Sequence, residues 1–369
     1  MKNILIGNGV DIQYGGKEYL NSSIIKRGLN KVRNVKIQEE LYPNEINVWL
    51  NLLYEELGDI VEGKYDNLLG ASYEKISLIE FKSRYEKWKK LKIFDIGIED
   101  YIFIHNLFCR NNNIQNPQQF EFRELLKRFF IDAIYNEGKI NEIHKSFPVK
   151  LNDFLYKYDN VFTTNYDNNI ETFLKDKEVN YLHGAFHILS DVYNPKSFRN
   201  KMPDNPIKDY DILDGYDYIY SNALMTFSGD EKMFSMEMNK RANDGFLKLA
   251  EGFKNNPTAR KGIEEWENNE NKLVRNMYQA IKLKSENLEL EFNEYYPIEK
   301  FKNINGSIDI VGLSPSNDNH LFNIINENKN IKKVRFYFFD KSEGSVARKI
   351  FKDKEIETLP VKGLWQDLK

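Results

Sequence analysis

The sequence has one cysteine, Cys109, among its 369 residues. One cysteine excludes an internal disulfide and any zinc site built from four cysteines. Long apolar runs are also absent, because the stretches at 101–104 and 336–339 are far shorter than the roughly 20 residues that cross a bilayer. The first residues lead into a short apolar strand, with no signal-peptide pattern. These absences predict a cytoplasmic protein without a membrane segment.

An excess of charge of one sign is missing as well. The formal net charge is −3, which indicates no general attraction to nucleic acid. The chain is instead rich in aromatic residues, at 14%, and its mean hydropathy is −0.62. This composition supports a sizeable core, and the length allows two or three packed units or one core with large insertions.

Short apolar strands that end in glycine or polar turns recur along the chain. They are predicted at 4–6, 160–164, 179–182, 308–313 and 334–339. This pattern is typical of a parallel sheet with crossover helices. Between the strands, apolar residues recur at helical spacing, as in the row Leu125, Phe129 and Ala133.

The predicted fold class is therefore α/β, with a Rossmann-like parallel sheet and two large, mainly helical insertions. The predicted core comprises 1–20, 155–190 and 300–369. A helical insertion occupies 21–154, and a mixed, mainly helical insertion occupies 191–299. Ligands of an open parallel sheet bind beyond the carboxyl ends of its strands. The unusual residues of this sequence all fall at those ends, which is the main evidence for a nucleotide site.

The first strand is followed by "GNGVD", half of a dinucleotide-binding fingerprint. Small residues let the backbone approach a pyrophosphate, and the next helix N-terminus favours its charge. Ile12 stands where the third glycine of the fingerprint would be. The motif taken alone fits a plain tight turn equally well.

The segment "TTNYD" ends another strand and offers Asn165 and Asp167. An amide can hold sugar hydroxyls and a water together, because it has donors and acceptors. A neighbouring carboxylate can accept from a carboxamide. Both residue types also favour the position before a helix, so helix capping is the alternative interpretation.

His183 follows a strand directly and precedes a glycine. Histidine is the side chain best suited to proton transfer near neutral pH, although a structural histidine in the core is the alternative. His187 lies four residues on, but no further ligands gather at a spacing that would suit a metal. We therefore predict no metal site.

Two later strand ends offer polar groups. Gly312 and Ser314 follow one strand, where the hydroxyl can bind a ribose or phosphate or cap the next helix. Asp340 follows "FYFF", where it can accept from ribose hydroxyls or serve as a turn residue.

The ordered set "GNGVD … TTNYD … YLHG … VGLS … FYFFD" resembles the sirtuin-like NAD-cleaving domain of bacterial anti-phage defence proteins, over about a third of the chain. The resemblance implies that Asn165 and His183 are catalytic. It also implies that Asp167 lies near the nicotinamide end of NAD. The NAD-binding residues that it implies are Gly7, Asn8 and Gly9 at the pyrophosphate, Ser314 and Asp340 near the adenosine, and Asp11, Thr164, Asp167 and Gly312.

Two departures from deacetylating sirtuins refine this expectation. Asp11 stands where those enzymes carry serine, and one cysteine cannot build their four-cysteine zinc module. The resemblance therefore favours the zinc-free branch: an NAD glycohydrolase with NAD as its substrate, which depletes the cell of NAD in abortive infection. The abortive-infection H group also has an Asn-Gly-x-Asp turn and a His-Gly, but it lacks the Thr-Asn-Tyr-Asp form.

Other classes of function remain open. The same fold can serve as a non-catalytic nucleotide sensor, or as a subunit that docks a partner such as a HerA-type ATPase. An NAD-dependent protein deacetylase is a further alternative. An enzyme that depletes NAD needs control, so we predict a homo-oligomer, with the region from Asn44 to Glu137 as its contact.

Overall fold

The computed structural model describes residues 1–33, 41–43, 45–70, 72–205, 213–224, 230–294 and 296–369. Asn44, the predicted start of the oligomer contact, lies outside them. The chain forms two compact units. The first comprises Met1–Ala185, Leu224–Met233 and Pro297–Lys369, and the second comprises Phe186–Ala223 and Phe234–Tyr296.

The first unit contains a parallel sheet of six strands in the order β3-β2-β1-β4-β5-β6. The strands are β1 (Lys2–Ile6), β2 (Asn160–Thr163), β3 (Val179–Tyr181), β4 (Gly306–Val311), β5 (Ile331–Phe338) and β6 (Glu355–Pro360). This confirms the predicted α/β class with a Rossmann-like sheet. The order reverses between β1 and β4, and such a switch point is where doubly wound sheets bind ligands.

The helices, in chain order, are α1 (Gly9–Gly15), α2 (Asn21–Arg33), α3 (Ile46–Val61), α4 (Ser72–Arg84), α5 (Ile98–Asn111), α6 (Gln118–Tyr135), α7 (Val149–Tyr156), α8 (Asn169–Leu174), α9 (Phe198–Lys201), α10 (Asp230–Asn255), α11 (Pro257–Glu264), α12 (Lys272–Glu286), α13 (Ile298–Lys302), α14 (Asn319–Glu327), α15 (Lys341–Ile350) and α16 (Val361–Asp367). Among the described residues, no helix is both long and apolar enough to cross a membrane.

The central strand β1 is buried, with Ile4, Leu5 and Ile6 almost fully excluded from solvent. Helices cover both faces of a parallel sheet, which explains the short apolar runs in the sequence. The edge strand β6 was not predicted. Its sequence, "EIETLP", alternates polar and apolar residues and is only partly buried, so it lacks the apolar run that marks the other strands.

The apolar row of α6 packs against α2 within the chain, and only its first member, Leu125, is partly exposed. A side chain at Gly28 of α2 would come within 2.6 Å of the Phe129 ring, and Ala133 lies beside it. Both Phe129 and Ala133 are completely buried. This row therefore gives no argument for a subunit contact, and the homo-oligomer stays a prediction.

The second unit has apolar clusters of its own. Phe198, Ala280, Leu290 and Phe292 form one of them. Phe253, Ile263, Tyr278 and Ile281 form another, along α10, α11 and α12. The residues at the carboxyl ends of the strands belong to the first unit, so the candidate site is described there.

Candidate active site

The turn after β1 lies directly against the turn after β4. The Gly7 N–H donates to the Val311 carbonyl and the Gly9 N–H donates to the Gly312 carbonyl, each at 2.9 Å. A Cβ on Gly9 would lie 2.5 Å from the Gly312 Cα. The glycines are thus required for close approach at the switch point. Because their N–H groups are engaged within the protein, the turn has a structural role that does not depend on a bound pyrophosphate.

Asn165 is held in place by the end of β2. The Thr163 hydroxyl donates to the Ile6 carbonyl at 3.1 Å and accepts from the Asn165 N–H at 3.0 Å. The β-branched residue therefore ties β2 to β1 just before the polar segment begins. Thr163 pairs with Tyr181 in the sheet, so Asn165 and His183 each lie two residues beyond a matched position on neighbouring strands. Neighbouring strands are about 4.8 Å apart, which places both residues at one edge of the sheet.

Asn165 and Asp11 form the first buried cluster of the site together with Asp167. Asn165 Nδ2 donates to Asp11 Oδ2 at 2.7 Å. Asp167 Oδ1 accepts from the N–H of Asn169 at 2.9 Å and from its side-chain amide at 2.5 Å. Asp11 is 2% exposed and Asp167 is 3% exposed, so both carboxyls are removed from water.

Burial and proximity disfavour ionisation of both carboxyls of this cluster. Burial raises the pKa of Asp11 well above its ordinary value, and the charge of Asp167 and a hydrogen bond to it raise it further. Burial also raises the pKa of Asp167, against the lowering effect of its hydrogen bonds to Asp11 and Asn169. Two adjacent buried carboxyls cannot both ionise readily, which favours a retained proton on Asp11.

Two acceptor atoms of this cluster have no hydrogen-bond partner within the described chain. They are Asn165 Oδ1 and Asp167 Oδ2, and both are buried. Buried polar atoms are nearly always paired, so exceptions in a native fold call for an explanation such as a catalytic role. Asp167 Oδ2 belongs to the carboxyl that raises the pKa of Asp11, so a proton kept on Asp11 lies near it. Asn165 Oδ1 remains an acceptor fixed in place with nothing to accept.

His183 lies at the end of β3 and contacts a second histidine. Its Nε2 is 3.1 Å from the Nε2 of His320, on α14. The ring centroids are 5.2 Å apart and the ring planes differ by 22°. Burial lowers the pKa of His183 well below its ordinary value, with smaller effects of Lys232 and His320 in the same direction. Burial and Lys232 lower the pKa of His320 to about 3. Both imidazoles are therefore neutral at physiological pH.

An ion pair between the buried Lys232 and the partly exposed Glu99 lies beside the histidines. Lys232 Nζ binds Glu99 Oε1 at 2.5 Å, and the hydroxyl of Tyr166 donates to the same oxygen at 3.2 Å. Lys232 is 1% exposed, and its positive charge acts on His183, His320 and Asp318. Burial raises the pKa of Asp318 to about 7, which Lys232 opposes and Glu99 reinforces. The histidines thus sit in a network of fixed charge.

Three further residues that the sequence predicted for NAD binding make short local contacts or bonds to a neighbouring strand. Asn8 is exposed, and its side chain donates to the Tyr19 carbonyl at 3.2 Å. Thr164 is partly buried, and its N–H donates to the Ile6 carbonyl at 3.0 Å. Ser314 is partly exposed, and its hydroxyl oxygen accepts weakly from the Ser316 N–H at 3.4 Å. These three contacts belong to the turns themselves and leave their predicted ligand roles as expectations.

Asp340 is exposed at the end of β5 and caps α15. Its Oδ1 accepts from the N–H of Ser342 at 2.8 Å and from the Ser342 hydroxyl at 2.6 Å. Glu343 completes a capping box by accepting from the Asp340 N–H at 3.2 Å. The structure thus gives Asp340 the turn role that the sequence offered as the alternative.

His320, Lys232, Glu99 and Asp318 were missed by sequence reasoning. Lys232 and Glu99 are 133 positions apart, and no local pattern marks either of them. His320 and Asp318 lie inside "VGLSPSNDNHLF", where only Gly312 and Ser314 were singled out. Asp318 and His320 lie on either side of the first residue of α14, and this position at a helix start was the sequence signal that could have pointed to them.

Within the described ranges, no group of three or more His, Cys, Asp or Glu residues is arranged to hold a metal ion. Comparisons of the chain with protein-family models, with curated proteins and with solved structures found no match. The proposed function therefore depends on the residues of the site and their contacts.

Proposed function

We propose that the protein is an NAD glycohydrolase, which cleaves NAD to nicotinamide and ADP-ribose. The observation that carries the proposal is the state of the Asn165 side chain. Its Nδ2 is bound to Asp11, and its buried Oδ1 has no partner in the described chain. An acceptor held this way at the switch point of a parallel sheet suits a ribose hydroxyl or an attacking water.

His183 supplies the proton acceptor. Its lowered pKa keeps the imidazole neutral and able to accept a proton at neutral pH. In the proposed reaction the bond between the ribose C1′ and the nicotinamide nitrogen breaks, and its electron pair leaves with nicotinamide. A water oxygen bonds to C1′, and its proton passes to His183. General-base catalysis of this kind typically contributes about a hundred- to ten-thousand-fold in rate.

The carboxyl pair suits the charge of the reaction. Positive charge develops on the ribose as nicotinamide leaves, and the buried carboxyls of Asp11 and Asp167 can hold a negative charge beside it. Fixed charge in a site removed from water stabilises such a transition state more than it would in bulk solvent. Asp167 also suits the carboxamide of nicotinamide, as the resemblance implies.

The rest of NAD would lie along the switch point. The close packing of Gly7 and Gly9 on Gly312 brings backbone to that edge without side chains in the way. The resemblance puts the pyrophosphate there and the adenosine towards Ser314 and Asp340. Both of these residues lie past the ends of β4 and β5, on the side of the sheet that this course requires.

The biological role follows from the resemblance alone. Cleavage of NAD would deplete an infected cell and stop phage growth, and it would need control by assembly or by a partner such as a HerA-type ATPase. Val48, Ile76 and Ile79 are exposed apolar side chains of the first insertion. They replace the α6 row as candidates for a contact between copies of the chain.

Product analysis tests the proposal. The purified protein is incubated with NAD at several protein concentrations, and nicotinamide, ADP-ribose and cyclic ADP-ribose are separated by chromatography. Equal amounts of nicotinamide and ADP-ribose are expected. Intact NAD that binds tightly under every condition would favour the nucleotide sensor. Transfer of an acetyl group from an acetyl-lysine peptide to ADP-ribose would favour the deacetylase.

A further inference from the structure

The contact between His183 and His320 restricts how His183 can act. The two Nε2 atoms are 3.1 Å apart, which is a hydrogen-bond distance between nitrogens. Since both rings are neutral, one Nε2 must carry the hydrogen and the other must accept it. The Nε2 of His183 is therefore occupied by the second ring, and Nδ1 is the nitrogen left to meet a substrate or a water.

The direction of this hydrogen bond decides whether His183 can be a base. If His183 donates from Nε2, its Nδ1 has a free lone pair and can accept a proton. If His320 donates, His183 carries its hydrogen on Nδ1 and can only donate there. The orientation of one histidine thus sets the chemistry of the other, as partners that fix a tautomer do in other sites.

The surroundings of the pair keep it rigid and uncharged. His183 and His320 are each 3% exposed. The His183 carbonyl accepts from the Leu224 N–H at 2.9 Å, which fixes the backbone of the base. Lys232 acts on both rings, and Glu99, Tyr166 and Asp318 belong to the same network of titratable groups. His320 Nδ1 is buried without a partner in the described chain, so a hydrogen on that nitrogen would need a water or a ligand as its acceptor.

We propose that His320 is a positioning residue for the reaction, which accepts a hydrogen bond from His183 Nε2 and so holds His183 in the tautomer whose Nδ1 is the general base. The inference rests on the proposed function, since it assigns a partner to the base of that reaction. When Nδ1 of His183 takes a proton, the new imidazolium still donates to His320. His320 itself touches neither the ribose nor the attacking water.

Two variants test the pair. In His320→Leu the acceptor is lost, so the kcat for NAD cleavage should fall about ten- to a hundred-fold, the usual cost of removing a partner that orients a functional histidine. The KM should not change. In His320→Gln an amide oxygen can accept from His183 Nε2, so most of the turnover should be kept. The acid limb of the pH profile should move to lower pH in His320→Leu and stay in place in His320→Gln, because only leucine removes the acceptor that stabilises the His183 imidazolium. A purely structural role would lower stability but would not separate the two variants in this way.

The tautomer can be read without any activity. The chain has five histidines, so nitrogen NMR of protein labelled in histidine can resolve His183. The wild type and His320→Gln should show the hydrogen on Nε2, and His320→Leu should show a mixture of tautomers.

If the wild type shows this tautomer but leaves NAD intact, the glycohydrolase proposal fails and the proposed role of the histidine pair stands. If NAD is cleaved and His320→Leu keeps the wild-type kcat and pH profile, the pair has no such role. A hydrogen on Nδ1 of His183 in the wild type would also overturn it.

Discussion

Asn165 Nδ2 donates to Asp11 Oδ2 across 2.7 Å, which joins the end of β2 to the first turn of α1. The two residues are 154 positions apart. This bond uses the donor side of the amide and leaves the acceptor side free. The structural contact of Asn165 and its proposed role in the reaction thus involve different atoms, and experiments can separate them.

Replacement of Asn165 by alanine should remove NAD cleavage and cost some stability. The buried Asp11 loses a donor, which should lower the free energy of unfolding by about 1–3 kcal/mol. Asn160→Ala is a matched control, since Asn160 donates a side-chain bond to Asn3 at 2.8 Å at the other end of the same strand. Denaturant unfolding and NAD turnover are measured on both variants. Turnover kept by Asn165→Ala would reduce Asn165 to a structural role.

Much of the fold was predictable because most strands of the sheet can be recognised from short local stretches of sequence. Buried parallel strands are short apolar runs, and five of the six strands showed them. The edge strand β6 did not, because an edge needs less apolar surface. The burial of Phe129 and Ala133 by Gly28 was not predictable either, since it depends on a glycine about a hundred residues away.

The sequence predicted individual residues of the candidate site but not the contacts between them. Strand ends pointed to Asn165, Asp167 and His183, because the position after a strand can be read from sequence. Their partners could not be read this way, since Lys232 and Glu99 meet only through the tertiary fold. Asp340 shows the opposite case, in which a local cap explains the same residue type.

Asp11→Asn should stabilise the protein at neutral pH. The folded pKa of Asp11 is raised above its ordinary value of 3.8, so the folded state holds a proton that the unfolded state releases. The stability that this proton contributes is fully present at acid pH, below the unfolded pKa, and is lost as the pH rises through the raised pKa of the folded state. Every tenfold change in proton affinity is worth about 1.4 kcal/mol. Asparagine can keep the bond to Asn165 and donate to Asp167 without ionising.

The measurement is urea unfolding of both proteins between about pH 4 and pH 8. Asp11→Asn should exceed the wild type at the alkaline end, and the difference should shrink towards pH 4. A variant that is less stable than the wild type at pH 8 would show that the folded state does not retain a proton on Asp11.

Gly9→Ala should destabilise the fold. Its methyl group would lie 2.5 Å from the Gly312 Cα, and backbone must move to make room. A loss of about 1–3 kcal/mol is expected from such overpacking. Gly245→Ala is the control, because nothing lies within 4 Å of its added methyl group in α10. Helix propensity should raise its stability by about 0.5–1 kcal/mol. Thermal melting compares them, and equal melting temperatures for Gly9→Ala and the wild type would contradict the close packing of the two turns.

Asp340 allows its cap and its ligand role to be separated. Asp340→Ala should lose about 0.5–2 kcal/mol of stability with the cap, whereas Asp340→Ser should keep most of it. If Asp340 also contacts the adenosine ribose, Asp340→Ser should raise the KM for NAD while kcat is kept. Steady-state kinetics and melting of the two variants decide this, and an unchanged KM would confine Asp340 to the helix cap.

The central claim is that Asn165 and His183, buried beyond the carboxyl ends of β2 and β3, cleave the bond between ribose and nicotinamide. The most direct measurement is nicotinamide release from NAD by the wild type, Asn165→Ala and His183→Ala, with Asn160→Ala as the folded control. The account predicts one nicotinamide and one ADP-ribose per NAD consumed by the wild type and the control, and neither product from the two site variants. Release of nicotinamide by His183→Ala at the wild-type rate, or cleavage of NAD at its pyrophosphate instead, would contradict it.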